Sequence, residues 1–284
     1  MRIGLIPNPD KDYNLQLTTD IAVQIASLGG TAVLDNKYKS YFPNGHECIV
    51  FSDYLNLDII MCLGGDGTFL TAIQDTLKLH TPIIGVNLGS VGFLAEISPS
   101  NIADALKQLF AGNYTTEKRM MIESVCRTKS GHIKCRSISL NDLVVSRDGI
   151  SRILNLDLYI DGVIVERLPG DGVIVSTPTG STAYSLSAGG PIIQPNLELL
   201  LITPLNPHTL HNRCYIAGPS SIVDIVIRDY PFNPLLTSDG ILVCKLEQSD
   251  TVSVTKSKNH MHLIRLNPIN FYESLTSKIY SRSN

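Results

Sequence analysis

The chain has 284 residues, of which 43% are hydrophobic and 17% charged, a balance that allows a buried core and excludes a disordered chain. The formal net charge is −3, so the chain lacks the basic field that would attract nucleic acid or an anionic membrane. Its length fits one large domain or two of ordinary size.

Six cysteines are scattered along the chain without a Cys-x-x-Cys pair. This spacing is typical of reduced, mostly buried thiols in a cytoplasmic protein, so we expect neither a metal site nor a disulfide framework. The apolar run at residues 3–6 is too short for a signal peptide or a membrane span. We therefore expect a cytoplasmic protein that binds neither nucleic acid nor membranes.

Strand and helix patterns alternate through the first hundred residues. Apolar runs predict strands, and apolar stripes behind polar caps predict helices. The predicted order is strand 3–6, helix 21–28, strand 31–34, strand 59–63, helix 68–79, strand 82–86 and helix 101–110. Continuous apolar strands separated by helices indicate a parallel sheet covered on both faces, whose ligands bind beyond the carboxyl ends of the strands.

The hydrophobic period becomes alternating in the second part of the chain. Residues 154–160 alternate between apolar and polar, and Asp161-Gly162 follows, which predicts an antiparallel hairpin with a two-residue turn. Further strands are predicted at 122–128, 140–146, 172–176, 222–227, 241–246 and 251–255, and a helix in the tail at 268–280.

These patterns predict the fold class and two domains. The first is an α/β N-terminal domain with a parallel sheet, residues 1–99, on which the tail 265–284 packs. The second is a β-rich C-terminal domain, residues 100–264.

One segment carries the clearest chemical signal: Gly64-Gly65-Asp66-Gly67-Thr68, between a buried strand and a predicted helix. Glycines let backbone N–H groups approach a phosphate, and the start of a helix adds oriented donors. The alternative is a tight turn in which Asp66 caps the helix, but a cap contributes only about 1 kcal/mol and does not explain three glycines. With no cationic neighbour in the sequence, Asp66 is better explained as a base or a metal contact beside a phosphate. The segment favours phosphoryl transfer.

Other phosphate-binding signatures are absent from the sequence. No Gly-x-x-x-x-Gly-Lys-[Ser/Thr] motif, no Gly-x-Gly-x-x-Gly after a strand and no protein-kinase signature occurs. A second segment, residues 177–191, places hydroxyls, small residues and one tyrosine between a strand and a Gly-Gly-Pro stop. Hydroxyls recognise sugars and phosphates, and tyrosine offers a flat face to a base. On composition alone, a Ser/Thr-rich connecting loop is the alternative.

Five segments extend this signal: residues 64–68, 87–94, 141–142, 170–172 and 177–191. In this order and at these spacings the chain resembles the bacterial NAD kinases, the ATP-dependent enzymes that make NADP. The resemblance covers nearly the whole chain. The first segment is shared with diacylglycerol and sphingosine kinases, whereas the last is much more specific.

The resemblance implies an α/β N-terminal and a β-rich C-terminal domain with NAD between them, in a homodimer or homotetramer. It implies that Asp66 is the catalytic proton acceptor, and that NAD and ATP are the substrates. A divalent cation, Mg²⁺ or another, would accompany ATP, without a dedicated protein metal site or a tightly bound organic cofactor. The implied phosphate- or ATP-binding residues are Gly64, Gly65, Gly67 and Thr68. The implied NAD-binding residues are Asp66, Gly67, Asn141, Asp142, Arg152, Asp171, Thr182, Ala183, Tyr184, Ser185, Leu186 and Ser187.

Four positions depart from the family pattern, one of them Val91, which replaces a common leucine. Asp142 stands where a glutamate is more usual, Pro169 where many relatives have an arginine, and Ile241 where many have a glutamine. The expected activity is phosphorylation of the adenosine-ribose 2′-hydroxyl of NAD by ATP. Two alternatives stay open, a lipid kinase of the diacylglycerol or sphingosine type and a catalytically idle dinucleotide sensor.

Overall fold

The computed structural model describes residues 1–76, 80–89, 92–149, 152–209, 212–267, 271–273 and 275–276. The chain divides into two compact units. The first combines Met1–Lys118 with Met261–Asn284, and the second is Arg119–His260. Among the described residues, no helix is long and apolar enough to cross a membrane.

The regular elements are numbered in chain order. The strands are β1 (Arg2–Pro7), β2 (Thr31–Leu34), β3 (Ile49–Phe51), β4 (Ile59–Gly64), β5 (Ile83–Asn87), β6 (Thr115–Arg127), β7 (Ile133–Ser139), β8 (Asp142–Ser146), β9 (Leu154–Ile160), β10 (Val163–Gly170), β11 (Gly172–Ser176), β12 (Leu200–Leu205), β13 (Tyr215–Ala217), β14 (Val223–Ile227), β15 (Leu235–Ser238), β16 (Ile241–Lys245) and β17 (Thr251–Arg265). The α-helices are α1 (Gln16–Ser27), α2 (Asp66–Thr76), α3 (Ile102–Ala111) and α4 (Tyr184–Ser187).

The first unit is built on a parallel sheet with the order β3-β2-β1-β4-β5. The end of β17 adds a further parallel strand, with Leu263 opposite Ile83. Leu5, Met61 and Ile84 stand side by side on β1, β4 and β5 and are fully buried. They belong to one core with the apolar faces of α1 and α3. Burial on both faces explains why these strands are continuously apolar.

The strand order reverses between β1 and β4. The chain runs outward from β1 to β2 and β3, and then returns to place β4 on the other side of β1. In open α/β sheets, ligands bind at such a switch point, outside the carboxyl ends of the strands. The loop after β1 and the glycine-rich turn after β4 meet at this position, where the Asn8 N–H donates to the Leu63 carbonyl at 2.9 Å.

The second unit consists mainly of antiparallel strands. One sheet has the order β13-β12-β11-β8-β15-β16. In addition, β10, β9, β14 and the first part of β17 pair successively, and β6 pairs with β7. Inward-facing residues of both sets, such as Val175 on β11 and Leu156 on β9, share one hydrophobic core. This is the arrangement of two facing β-sheets that bury alternate residues.

The structure confirms the predicted fold class, an α/β unit with a parallel sheet followed by a β-rich unit. It also confirms the hairpin of β9 and β10, because Asp161 and Gly162 both have positive φ angles, 52° and 78°. Predicted helix 68–79 begins earlier, at Asp66, and its last three residues lie outside the described residues. The predicted tail helix lies mostly outside them, although residues 271–273 and 275–276 are helical.

The boundary between the units differs from the expected position at residue 100. Helix α3 belongs to the first unit, which extends to Lys118. The reason is that the buried face of α3, including Leu106 and Leu109, packs in the core of the parallel sheet. The sequence did not predict β3, β7, β12, β13 or β15.

Candidate active site

The carboxylate of Asp66 is held by backbone N–H groups. Asp66 is the first residue of α2, and its Oδ2 accepts from the Phe93 N–H at 2.8 Å while Oδ1 accepts from the Leu94 N–H at 3.1 Å. Two donors on one loop fix both oxygens, so the orientation of the carboxylate is set by the chain rather than by rotamer preference. Each oxygen keeps a second lone pair for another donor.

Gly92 makes this geometry possible. A Cβ at position 92 would overlap with the Asp66 carboxylate, so a larger residue would displace it. Gly64 has a comparable constraint, because its Cβ would overlap with the side chain of Thr68. The Thr68 hydroxyl in turn accepts from Asn8 Nδ2 at 2.9 Å. The glycines therefore allow close packing around the turn as well as access to its backbone.

A lysine lies over the glycine-rich turn. Lys11 Nζ is 3.2 Å from where a Cβ of Gly65 would stand and 2.7 Å from that of Gly89. The Lys11 backbone is anchored in the loop after β1, since its N–H donates to the Asn8 carbonyl at 3.0 Å. Next to it, the buried Asp12 carboxylate accepts from the N–H groups of Leu17 and Thr18 at the start of α1. Lys11 supplies the cation that the sequence around Asp66 lacks.

A cavity of about 460 Å³ opens at this switch point. Its walls are the loop after β1, the glycine-rich turn, the start of α2 and the residues after β2; they are Ile6, Pro7, Asn8, Pro9, Lys11, Lys37, Tyr38, Gly65, Gly67, Thr68 and Thr71. Two lysines, exposed glycine backbone and a helix N-terminus together make a cavity suited to a polyphosphate. Asp66 is not among the lining residues, because its carboxylate turns towards residues 93 and 94.

A second polar site lies within the second unit, around Asn141 and Asp142. The Asp239 carboxylate accepts from three successive backbone N–H groups, those of Leu140 and Asn141 at 2.8 Å and that of Asp142 at 3.1 Å. Asp239 has a φ of 48° in the turn between β15 and β16. It is therefore the residue that shapes the turn carrying Asn141, which agrees with the preference of Asp-Gly for tight turns.

Asp142 is a buried acid with an altered proton affinity. Only 5% of it is exposed. Burial, with the Asp239 charge as the second cause, raises the pKa of Asp142 to about 7. Ser176 on β11 stands opposite Asp142. The buried Ser176 Oγ and Thr179 Oγ1 both have no hydrogen-bond partner among the described residues. Buried hydroxyls without partners are costly, which supports a ligand or water at this site.

The segment 177–187 has structural and outward-facing members. Thr177 Oγ1 donates to the Leu140 carbonyl at 2.6 Å, and a Cβ on Gly180 would overlap with the Asn141 backbone, so this loop packs against the Asn141 turn. The hydroxyls of Thr182 and Ser185 bond within the unit, to the Thr179 carbonyl and to Thr203.

Four residues between 183 and 187 are exposed or half-buried. Tyr184 is 49% exposed, Ser187 is exposed, and Ala183 and Leu186 are half-buried. Of the six predicted residues from 182 to 187, these four are thus accessible to a ligand, while the hydroxyls of the other two serve the fold.

Two further predicted residues lie elsewhere on the second unit: Asp171 stands at the Ser146 end of the β8–β11 pair, whereas Asp142 stands at its other end, opposite Ser176. Asp171 is paired with Arg147, with 2.6 Å from Oδ1 to Nε, and accepts from Asn206 Nδ2 at 2.9 Å. The Asn206 hydrogen bond, followed by Arg147, lowers the pKa of Asp171. Arg152 is exposed just before β9. Asp66 and Gly67 lie on the first unit and the other predicted NAD-binding residues on the second.

Comparison with known proteins matches family models to two parts of the chain. Residues 3–114 match a family model described as the ATP-NAD kinase N-terminal domain, and residues 140–266 match the ATP-NAD kinase C-terminal domain. The chain belongs to the NAD kinase family. The NAD kinase of Acetivibrio thermocellus is 39% identical over 284 residues, covering 99% of this chain and 98% of that protein. The NAD kinase of Ruminiclostridium cellulolyticum is also 39% identical, over 282 residues and with the same coverage.

Solved structures of NAD kinases share the fold. The crystal structure of an NAD kinase from Archaeoglobus fulgidus in complex with ATP has a TM-score of 0.76 and 25% identity, covering 99% of both chains. Yeast NADH kinase complexed with NADH has a TM-score of 0.90 and 22% identity, covering 100% of this chain and 89% of that one. As a member of the NAD kinase family, the chain is a phosphotransferase, and the family resemblance predicted from the sequence is confirmed.

Three residues of this NAD kinase fold were not predicted as members of the site. Lys11 is distant in sequence from the glycine-rich turn, but its position directly after a predicted strand could have signalled it, because carboxyl ends of parallel strands meet at one edge. Gly92 lies in a motif segment without an evident role until Asp66 is placed beside it. The Asp239-Gly240 pair in the sequence indicates a turn, but the three N–H donors to Asp239 come from residues about a hundred positions away.

Proposed function

We propose that this chain transfers the γ-phosphoryl group of ATP to the 2′-hydroxyl of the adenosine ribose of NAD, giving NADP and ADP. The observation that carries the proposal is the cavity at the β1/β4 switch point, where Lys11 lies over a glycine-rich turn that begins a helix. The NAD kinase relatives, which match the chain along nearly its whole length, support the same reaction over a lipid kinase or an idle sensor.

The phosphates of ATP would bind at the glycine-rich turn, at Gly64, Gly65, Gly67 and Thr68. Exposed backbone N–H groups at the start of α2 provide oriented donors for phosphate oxygens. Lys11 adds a positive charge on the same side of the turn. Phosphoryl transfer depends mainly on positioning and on charge stabilisation, and these groups offer both.

Asp66 would act as the general base. As the 2′-oxygen forms its bond to the γ-phosphorus, the bond from that phosphorus to the β-γ bridging oxygen breaks and ADP leaves. The hydroxyl proton passes to a carboxylate oxygen of Asp66, whose orientation is held by the N–H groups of Phe93 and Leu94. Such base assistance contributes a factor of roughly 10² to 10⁴ in rate.

The second unit would bind the dinucleotide. Asn141 and Asp142 stand on a turn that Asp239 holds rigid, and the accessible Tyr184 can stack on a base. The unpartnered hydroxyls of Ser176 and Thr179 support a polar ligand beside this turn. The remaining proposed NAD contacts are Gly67, Arg152, Asp171, Thr182, Ala183, Ser185, Leu186 and Ser187; for Thr182 and Ser185 the contact would come from the backbone, since their hydroxyls serve the fold.

Magnesium or another divalent cation would enter as MgATP. In the described part of the chain, the convergent group of three or more His, Cys, Asp or Glu ligands is a set of thiols, which Mg²⁺ does not favour. The residues at the turn therefore fit a cation held by phosphate oxygens and water, where it offsets phosphate charge.

The proposal also covers the cellular location and the oligomeric state of the enzyme. ATP and NAD as substrates support a cytoplasmic enzyme. A homodimer or homotetramer is proposed on the family resemblance alone, and sedimentation of the purified chain would measure its mass in solution.

One assay tests the reaction. Purified full-length chain is incubated with ATP, Mg²⁺ and NAD, and NADP is measured with an NADP-specific dehydrogenase. We expect NADP from the wild type, and a loss of turnover of at least about 100-fold in Asp66→Asn with a KM for NAD within a few-fold. Asp104→Asn, an exposed acid on α3, is the matched control.

Three outcomes would contradict the proposal. Phosphorylation of diacylglycerol or sphingosine without NADP formation would indicate a lipid kinase. NAD binding measured by calorimetry without turnover would indicate a sensor. Near wild-type turnover of Asp66→Asn would remove Asp66 as the base.

A further inference from the structure

Three cysteines converge inside the second unit. The Sγ atoms of Cys126, Cys135 and Cys244 all lie within 4.8 Å of one another. Cys126 is 0% exposed, and the other two are half-buried. In the described part of the chain, no other group of three or more His, Cys, Asp or Glu side chains brings its ligand atoms together in this way.

The thiols come from two hairpins. Cys126 on β6 and Cys135 on β7 are direct cross-strand neighbours. Cys244 comes from β16, which pairs with β15 in the six-stranded sheet. Three thiols on three strands, at the rim of a hydrophobic core, are therefore placed by the fold rather than by local sequence spacing.

We propose that Cys126, Cys135 and Cys244 form a binding site for a thiophilic divalent cation, Zn²⁺, that joins the β6–β7 hairpin to the β15–β16 hairpin. Three sulfur ligands suit Zn²⁺, which binds thiolates at about 2.3 Å in tetrahedral geometry and can take water as the fourth ligand. The two half-buried thiols leave a solvent side for that water.

The geometry requires a small adjustment on binding. Two thiolates on one tetrahedral zinc ion lie about 3.8 Å apart, given the bond length above. The Sγ atoms of Cys135 and Cys244 lie 2.6 Å apart, so these two side chains must separate by about 1 Å. The third thiol distinguishes the site from a simple cysteine pair, because a disulfide would use two sulfurs and leave the fully buried Cys126 without a role.

The charge around the thiols favours a cation. Lys134, next to Cys135, is paired with Glu247 at 2.9 Å and with the buried Asp250 at 3.1 Å. One positive and two negative groups leave a net negative charge beside the site, which attracts a cation and repels an anion.

Binding must also release protons. Burial raises the pKa of both Cys126 and Cys244 to about 12, and it raises the pKa of Cys135 as well. The thiols are therefore neutral without a metal, and three thiols plus Zn²⁺ give a zinc tris-thiolate plus three protons. Neutral buried thiols react slowly with oxidants, whereas a metal ion can displace their protons on binding.

The site would support the dinucleotide turn from its far side. The same two hairpins meet again where Ser139 at the end of β7 bonds Ser238 at the end of β15, at 2.6 Å between hydroxyls. Asp239 and the turn of Asn141 follow directly. Zinc at the other end of β7 and β16 would hold both hairpins in register. This inference does not depend on the proposed reaction.

The test is a metal titration of the purified full-length chain. The protein is reduced, stripped with a chelator and titrated with Zn²⁺ against a chromophoric chelator, and separately with Co²⁺ to observe the thiolate-to-metal absorption band. We expect one tightly bound Zn²⁺ per chain and a Co²⁺ spectrum of a tetrahedral thiolate site. Cys135→Ser and Cys244→Ser should each weaken Zn²⁺ binding by about 100-fold or more, since loss of even an outer partner costs 10- to 100-fold.

Cys214→Ser is the matched control, because Cys214 is a half-buried cysteine of the same unit outside the cluster. It should bind Zn²⁺ like the wild type. Cys126→Ser is the third variant, and the two half-buried positions keep the test valid if this one does not fold.

Several results would overturn the inference. They are a wild type that takes up no Zn²⁺, a Cys214→Ser variant that loses as much affinity as the cluster variants, and a Co²⁺ spectrum without a thiolate band. A chain that lacks Zn²⁺ binding and carries a Cys135–Cys244 disulfide, seen as a loss of two hydrogens in its mass, would replace the metal site by a cysteine pair. NADP formation is not the readout, so failure here leaves the proposed function standing.

Discussion

Asp66 and Asp239 use the same device in the two units, with different consequences. Each carboxylate accepts successive backbone N–H groups from a loop distant in sequence, two for Asp66 and three for Asp239. Asp66 begins a helix whose glycine-rich start lines a cavity with Lys11 over it. Asp239 lies in a hairpin turn beside another acid, the buried Asp142.

Both carboxylates are held by backbone N–H groups, so their surroundings are what separate a candidate base from a structural acid. The glycines on both sides of Asp66 line an open cavity with Lys11 over it, while the carboxylate itself faces residues 93 and 94. Around Asp239 the donors come from the turn that carries Asn141, so the carboxylate shapes a binding surface instead. Perturbing the hydrogen bonds that hold Asp66 should therefore change turnover, and perturbing those that hold Asp239 should change stability.

The largest effect is expected for Gly92→Ala. The added Cβ would overlap with the Asp66 carboxylate and push it out of reach of its two N–H donors. We expect kcat to fall by about 10³-fold, comparable to the loss of a general base, with the thermal unfolding midpoint little changed. Gly218→Ala, where a Cβ has room, is the control. A variant with wild-type kcat would show that the position of Asp66 does not matter for turnover.

Removing the Asp239 carboxylate should lower the stability of the protein. Asp239→Ala leaves three backbone N–H groups without their acceptor, and we expect a loss of about 3 kcal/mol in the free energy of unfolding. Urea denaturation measures it, with Asp104→Ala as the exposed control. At temperatures where the variant is folded, its KM for NAD should rise more than its kcat falls. The opposite pattern would place Asp239 in the chemistry.

The buried Asp142 should make the stability of the protein depend on pH. Its folded pKa, about 7, lies above the ordinary value of 3.8, so its contribution to stability is complete below pH 3.8 and is lost as pH rises towards 7. Asp142→Asn should therefore stabilise the protein, relative to the wild type, by about 3 kcal/mol more at pH 8 than at pH 5. Denaturation curves at both pH values measure this difference.

Asp171 serves as the control of opposite sign. Its pKa is lowered in the folded protein, so its contribution is present above its ordinary pKa and is lost as pH falls through the lowered value. A pH-independent difference between Asp142→Asn and the wild type would show that Asp142 is not a buried acid.

The smallest effect is expected for Lys11→Ala. Loss of the cation over the glycine-rich turn should raise the KM for ATP about tenfold while leaving the KM for NAD nearly unchanged. Steady-state kinetics with each substrate varied in turn measure both constants. Lys39→Ala, an exposed lysine outside the cavity lining, should behave like the wild type. Equal changes in both KM values would indicate that Lys11 supports the fold rather than phosphate binding.

Much of the fold follows from local patterns in the sequence. The apolar strands of the first unit and the Asp161-Gly162 hairpin have short-range signals, and they were predicted within a few residues. Strand β3 was not, because it has only three residues and one of them, Val50, is exposed. Strand β12 lies between β11 and β13 although it contains Pro204, which argues against a central strand.

The candidate site is harder to predict because its contacts are long-range. Asp66 could be selected from its glycines, but the loop that orients it and the lysine beside the turn become visible only when the strand order is known. The three thiols show the same limit, since Cys135 and Cys244 are 109 residues apart in the chain. Motif residues are recognisable from sequence, whereas the residues that position them are recognisable only in the folded structure.

The path of the chain has a consequence for how the protein is made. The first unit is discontinuous, and the strand that pairs with β5 at Ile83 arrives only with Leu263, after the whole second unit has been translated. While the ribosome synthesises the intervening β-rich unit, the start of β5 at Ile83 waits for its partner, whereas Gly85 and Asn87 can already bond to residues 96 and 97. An unpaired strand edge is a template for aggregation, so the nascent chain is most vulnerable at the start of β5 until the end of β17 emerges.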